Sequence, residues 1–99
     1  MSQQFFVKLV PRRATFAQDM TEAERAIMME HIAHWTGLME RKIVVVFGPV
    51  MDPAGAYGMG VVEVESEDQL RALLDDDPAK TINDFVYWPM RAVHPGLKN

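Results

Sequence analysis

Apolar and polar positions alternate in a way that divides the chain into strands and helices in the order β-α-β-β-α-β. Phe5 to Val10 is short, β-prone and bounded by polar residues and Pro11, which reads as a strand with Phe5, Val7 and Leu9 on one face. Its other face carries Phe6 and Val10. Pro11 to Met20 has no sustained period and reads as a loop. Thr21-x-x-Glu24 is a capping box, in which hydroxyl and carboxylate each satisfy an orphan backbone amide, so a helix is expected from there to about Arg41. Ile43 to Phe47 is an unbroken β-branched and aromatic run, expected as a strand covered on both faces and ended by Gly48-Pro49.

A turn over Met51 to Ala56 leads to a third strand, Tyr57 to Glu65, where Gly58 and Gly60 mark a bulge or a place where a ligand approaches the backbone. Ser66-x-x-Gln69 reads as a second capping box, opening a short helix with Leu70, Leu73 and Leu74 as its apolar stripe. Pro78 restricts Asp77 and stops it. The last strand, Phe85 to Met90, carries Val86, Trp88 and Met90 on one face, and a loose tail is expected beyond Val93.

This order is the split β-α-β repeat of the ferredoxin-like fold: an α+β protomer with a four-stranded antiparallel sheet and both helices on one face. The other sheet face is then bare. Strands one, two and four carry apolar residues on both faces, and a bare apolar sheet is a large patch that monomers avoid. A second copy of the chain is the expected cover, making a homodimer.

Composition narrows the function. At 99 residues and 48% hydrophobic the chain fits one domain, 1–99 with its core over about 5–92, and shows no repeat or linker. With no cysteine it has no disulfide, thiolate nucleophile or cysteine zinc site, which fits a cytoplasmic location. The N-terminal stretch has no apolar run long enough for export or membrane insertion. A net charge of −4 with scattered basic residues lacks the footprint of a nucleic-acid binder.

Candidate chemistry lies on the first helix. At ~100° per residue, Ile27, Met28, Ile32, Trp35, Leu38 and Met39 share one arc, and His31 falls near its middle. A titratable ring is thus aimed at the sheet, where it is either a core histidine bonded to a backbone carbonyl or a group on a pocket. Trp35 is expected in the helix–sheet core. The run Asp75-Asp76-Asp77 sits at a helix end where carboxylates meet the negative pole of the helix dipole, so it is either a solvated cluster or a source of a partner for His31.

The string from Phe16 to Pro53, followed by Gly55-Ala56-Tyr57-Gly58 and by Asp77-Pro78, resembles the YCII-related (YciI-like) domain family from about Phe5 to Met90. The carrying marks are the helical histidine, the Gly-Pro after strand two and the Asp-Pro after helix two. The resemblance implies a dimeric α+β barrel of ferredoxin-like protomers, with His31 and Asp77 as a catalytic pair. Two positions depart from the pattern: Lys42 stands where many relatives have glycine, and Ala79 where they often have an aromatic residue. The missing pocket wall is then smaller or supplied by Phe85, Tyr87 or Trp88.

Such a pair supports proton transfer, with Asp77 fixing the tautomer of His31 while the free ring nitrogen exchanges a proton with the ligand. No serine is an evident nucleophile, since Ser66 is a cap and Ser2 is terminal. The function expected is a lyase or isomerase acting on a small molecule, with no cofactor. One alternative is a non-catalytic small-molecule-binding module. Another is a metal site built from His31 and His34 with Glu30 or Asp77.

Overall fold

The computed structural model describes residues 2–95. Its four-stranded antiparallel sheet has the order β2-β3-β1-β4, with β1 at Gln3–Pro11, β2 at Val44–Val50, β3 at Tyr57–Val64 and β4 at Asn83–Met90. Three α-helices are α1 (Phe16–Asp19), α2 (Glu22–Glu40) and α3 (Glu67–Asp75), and a 3-10 turn covers Pro78–Thr81. This is the α+β, ferredoxin-like arrangement expected from the sequence, with both long helices on one side of the sheet.

Alternation along β1 separates the two sheet faces. Phe5, Val7 and Leu9 are buried under the helices with Val62 and Val64 of β3, and Trp35, Leu38, Leu70 and Leu74 close the core from above. Each fully buried aliphatic or Phe side chain there contributes about 1.5 to 3 kcal/mol. On the opposite face Phe6 lies beside Trp88, with ring centroids 6.0 Å apart, while Trp88 is 50% exposed and Val46, Val86 and Met90 are also exposed.

Local signals set the helix boundaries. The Thr21 capping box is complete: Glu24 N donates to Thr21 Oγ1 at 3.1 Å, and Thr21 N donates to Glu24 Oε1 at 2.9 Å. The box expected at Ser66 is only half formed. Ser66 Oγ accepts from Gln69 N at 3.1 Å, but Gln69 Oε1 accepts from Glu65 N, one residue before the cap.

The end of α2 is a Schellman motif: Ile43 N donates to Leu38 O at 2.9 Å and Lys42 N to Met39 O at 3.0 Å. The motif requires a left-handed residue, and Lys42 takes that role with φ of 66°. Glycine would take this conformation without the steric cost that a Cβ carries.

Several expectations are corrected. β2 does not stop at Gly48-Pro49 but continues to Val50. It lies at the sheet edge, where proline's missing N–H removes no essential ladder bond. Because the helices pack on one side of the sheet, β2 is covered on one face only, and Val46 is 47% exposed. The bulge lies in β2 between Val44 and Val46, not in β3. The segment read as a loop contains α1, whose Phe16 is buried. It is held by Arg13, which donates to Asp19 Oδ1 and to both carboxylate oxygens of Glu24, each at 2.8 Å. Ile32, assigned to the buried arc of α2, is 50% exposed. The tail expected to be loose falls, from Gly96 onward, outside the described residues.

Candidate active site

α2 carries His31 and Trp35 four residues apart, one turn above the other on the face that meets the sheet. Both side chains end on one carboxylate oxygen. His31 Nδ1 lies 2.7 Å from Asp77 Oδ2, and Trp35 Nε1 donates to the same oxygen at 2.6 Å. The other oxygen, Oδ1, accepts from Ala79 N at 2.9 Å. Asp77 is thus the N-cap of the 3-10 turn, beyond the C-cap Asp76 of α3. The unfavourable helix end inferred from the Asp75-Asp76-Asp77 run applies to its first two members, which are exposed, with Asp75 paired to Lys80.

Asp77 is 2% exposed and His31 9%. Burial pushes the Asp77 carboxyl up, but the bonds from His31, the Ala79 amide and Trp35 outweigh it and hold the group below the ordinary carboxylate range. An ionised carboxylate only accepts, so Nδ1 of His31 carries the proton in their bond and Nε2 is left for other partners.

His31 lines an apolar cavity of about 220 Å³ between α2, the α1 segment and the sheet. Phe16, Met20, Met28 and Phe47 form much of its wall, and Ile32 stands among its lining residues with its side chain half exposed. Side-chain nitrogen or oxygen in the lining comes from His31, Trp35, Tyr57 and Asn83 alone. The Trp35 N–H is already committed to Asp77, and Asp77 itself is not in the lining. The polar side chains left in the lining are therefore His31, Tyr57 and Asn83, and His31 is the one bonded to a buried carboxylate.

The wall is not supplied by Phe85, Tyr87 or Trp88. Phe85 and Tyr87 border a second cleft with Arg71 and Lys80, which shares Asn83 with the cavity, and Trp88 belongs to the opposite sheet face. At Gly60 the close approach is made by the protein itself, while Gly58 also lines the cavity. A Cβ at Gly60 would lie 2.3 Å from Trp35 Cζ3, and one at Gly58 would lie 3.2 Å from Leu9 Cβ. His34 turns away from His31 to place Nε2 3.1 Å from Leu73 O. Among the described residues no three His, Cys, Asp or Glu side chains are grouped to hold a metal ion, which removes the basis of the His31–His34 metal site.

Two contributors were not read from the sequence. Trp35 belongs to the core as its helical position predicts, but its bond to Asp77 is an addition, for which the spacing of four from His31 is the one sequence signal. Asn83 carried no signal, being a single polar residue ahead of a strand.

Two solved structures share this architecture. A 5-chloro-2-hydroxyhydroquinone dehydrochlorinase from Burkholderia phenoliruptrix AC1100, in complex with 2,5-dihydroxybenzoquinone, is similar with a TM-score of 0.60 and 16% identity, over 92% of this chain and 94% of that one. A cofactor-independent oxygenase from Streptomyces nogalater aligns over 98% of each chain, with a TM-score of 0.50 and 10% identity. At these identities the likeness is one of fold. No curated protein matches the sequence. The YCII-related domain pattern matches residues 5–88, and the chain belongs to that family.

Proposed function

We propose that this protein is a general acid–base catalyst of elimination or isomerisation on a small, one-ring or similarly compact ligand. The observation that carries the reading is the buried His31–Asp77 bond of 2.7 Å on the wall of an otherwise apolar cavity. Asp77 holds the ring with Nδ1–H in its bond, so Nε2 takes a proton from the ligand and returns it to another atom in an isomerisation, or releases it with the leaving group in an elimination. The cavity volume supports a compact ligand, since a space of about 150 Å³ accepts benzene. Dehydrochlorination, named for the Burkholderia neighbour, is an elimination of the kind such a pair performs; the analogy is at the level of fold. The bare sheet face supports a homodimer packed sheet against sheet, with Trp88 at its centre.

The test is turnover of chlorohydroquinones and small lactones, followed by chloride release and by proton exchange. His31→Ala should lower any rate by at least about 100-fold, the usual scale for a positioned acid–base group. Asp77→Asn should impair the same step, and Asp75→Asn should leave it unchanged. A compound that shifts the melting temperature through His31 but is never turned over would make the protein a binding module. A rate indifferent to His31 would overturn the proposal.

A further inference from the structure

Asn83 opens β4 opposite Pro11 of β1, on the sheet face under α2. It is 1% exposed, and its amide is pinned by one end. Nδ2 donates to Ala79 O at 3.1 Å and approaches Met28 Sδ at 3.6 Å. Rotating the amide by half a turn would set Oδ1 against the Ala79 carbonyl, two acceptors facing each other, so the orientation is fixed. Oδ1 is buried with no hydrogen-bond partner. An unpaired buried carbonyl is costly, and native structures keep few of them.

Asn83 and Met28 both line the cavity that holds His31. The side chain packed on Nδ2 is thus a thioether with three rotatable bonds, which a ligand can displace at small cost, while Asn83 also borders the second cleft beside Arg71 and Lys80. A carbonyl oxygen only accepts, so what satisfies it is a hydroxyl or N–H. When the His31 ring is neutral, Nε2 is an acceptor as well, because Nδ1–H points at Asp77. The polar complement of the cavity thus includes two acceptors within an apolar wall.

We propose that Asn83 is a specificity-determining residue, whose Oδ1 accepts a hydrogen bond from a ring hydroxyl of the ligand while His31 engages a second proton-bearing group. The ligand class is a single-ring compound with at least two hydroxyls, which deepens the reading of the cavity as the ligand site and rests on it. A ring of the same shape with methyl groups would leave Oδ1 unpaired and be rejected.

Hydroquinone and p-xylene are matched probes for this, alike in shape and different in donors. Calorimetric titration of the wild-type protein should show hydroquinone bound about tenfold or more tighter than p-xylene, and Asn83→Leu should bring the two to within about threefold. A general loss of stability in the variant would not move that ratio. If Asn83→Leu fails to fold, the wild-type complex with hydroquinone decides: a hydroxyl within hydrogen-bond distance of Oδ1 supports the assignment, and one placed elsewhere overturns it. Equal binding of both probes would overturn the role of Asn83 and leave the cavity reading intact. Binding of neither probe would overturn both.

Discussion

Trp35 crowds the backbone of Gly60 so closely that a Cβ at that position would come 2.3 Å from its Cζ3. The same indole reaches Asp77 with its N–H, so the glycine on β3 determines where a donor to the carboxylate can stand. Gly60→Ala adds one carbon where none fits. It should destabilise by about 1 to 3 kcal/mol, the usual cost of overpacking, despite alanine's smaller backbone entropy loss. Urea denaturation with tryptophan emission checks this. Gly58→Ala meets Leu9 at 3.2 Å and should cost less. An unchanged midpoint and emission for Gly60→Ala would mean that the ring is free to move.

Asp77 makes stability depend on pH with a definite sign. Its folded-state value is held below the ordinary one, so the stabilisation is complete above the unfolded value of about 3.9 and is lost as pH falls through the lower folded value. Asp77→Asn cannot titrate. The stability difference between wild type and variant should therefore narrow as pH is lowered below about 4. Urea midpoints collected at a series of acidic pH values would show it. A difference that stays constant over the acid limb would mean that Asp77 is not held ionised by His31, Trp35 and Ala79.

Lys42 is the residue whose conformation and identity disagree. A left-handed non-glycine residue costs about 1 to 2 kcal/mol, while glycine's extra entropy loss is about 0.5 to 1 kcal/mol. Lys42→Gly should therefore stabilise by up to about 1 kcal/mol, and Lys42→Ala should not. Thermal unfolding of both variants separates backbone strain from any effect of the side chain's charge. A loss on Lys42→Gly would mean that the Schellman turn tolerates lysine without strain.

These positions also show what was legible in the sequence. The Thr21 capping box could be read because donor and acceptor lie three residues apart, and His31 could be placed because a helix repeats every 3.6 residues. The β-α-β-β-α-β order followed from the same local periods. What escaped depended on tertiary position. Pro49 reads as a strand end unless β2 is known to be an edge, and α1 forms because Arg13 gathers Asp19 and Glu24. The resemblance paired His31 with Asp77, but the third member, Trp35, and the amide of Asn83 reach the site only through folding, at separations of 42 residues from Asp77 and 55 residues from Met28.

The bare sheet face gives the last prediction. Trp88 is 50% exposed, Val86 40% and Met90 36%, and Phe6 packs beside Trp88 on the same surface. None of these belongs to the buried core cluster under α2 and α3, so the protomer can fold without them. Trp88→Glu should leave the secondary structure intact and convert a homodimer to a monomer at micromolar concentration, because a carboxylate buried without a partner at an interface is strongly disfavoured. Light scattering coupled to size exclusion reads the mass directly. Met29→Glu is the control, since Met29 is 66% exposed on α2, on the other side of the sheet, and should change nothing. A wild-type mass of one protomer would overturn the homodimer, and a dimer that survives Trp88→Glu would place the contact elsewhere. The sheet face would then have to remain apolar without a second copy, a state that soluble chains rarely sustain.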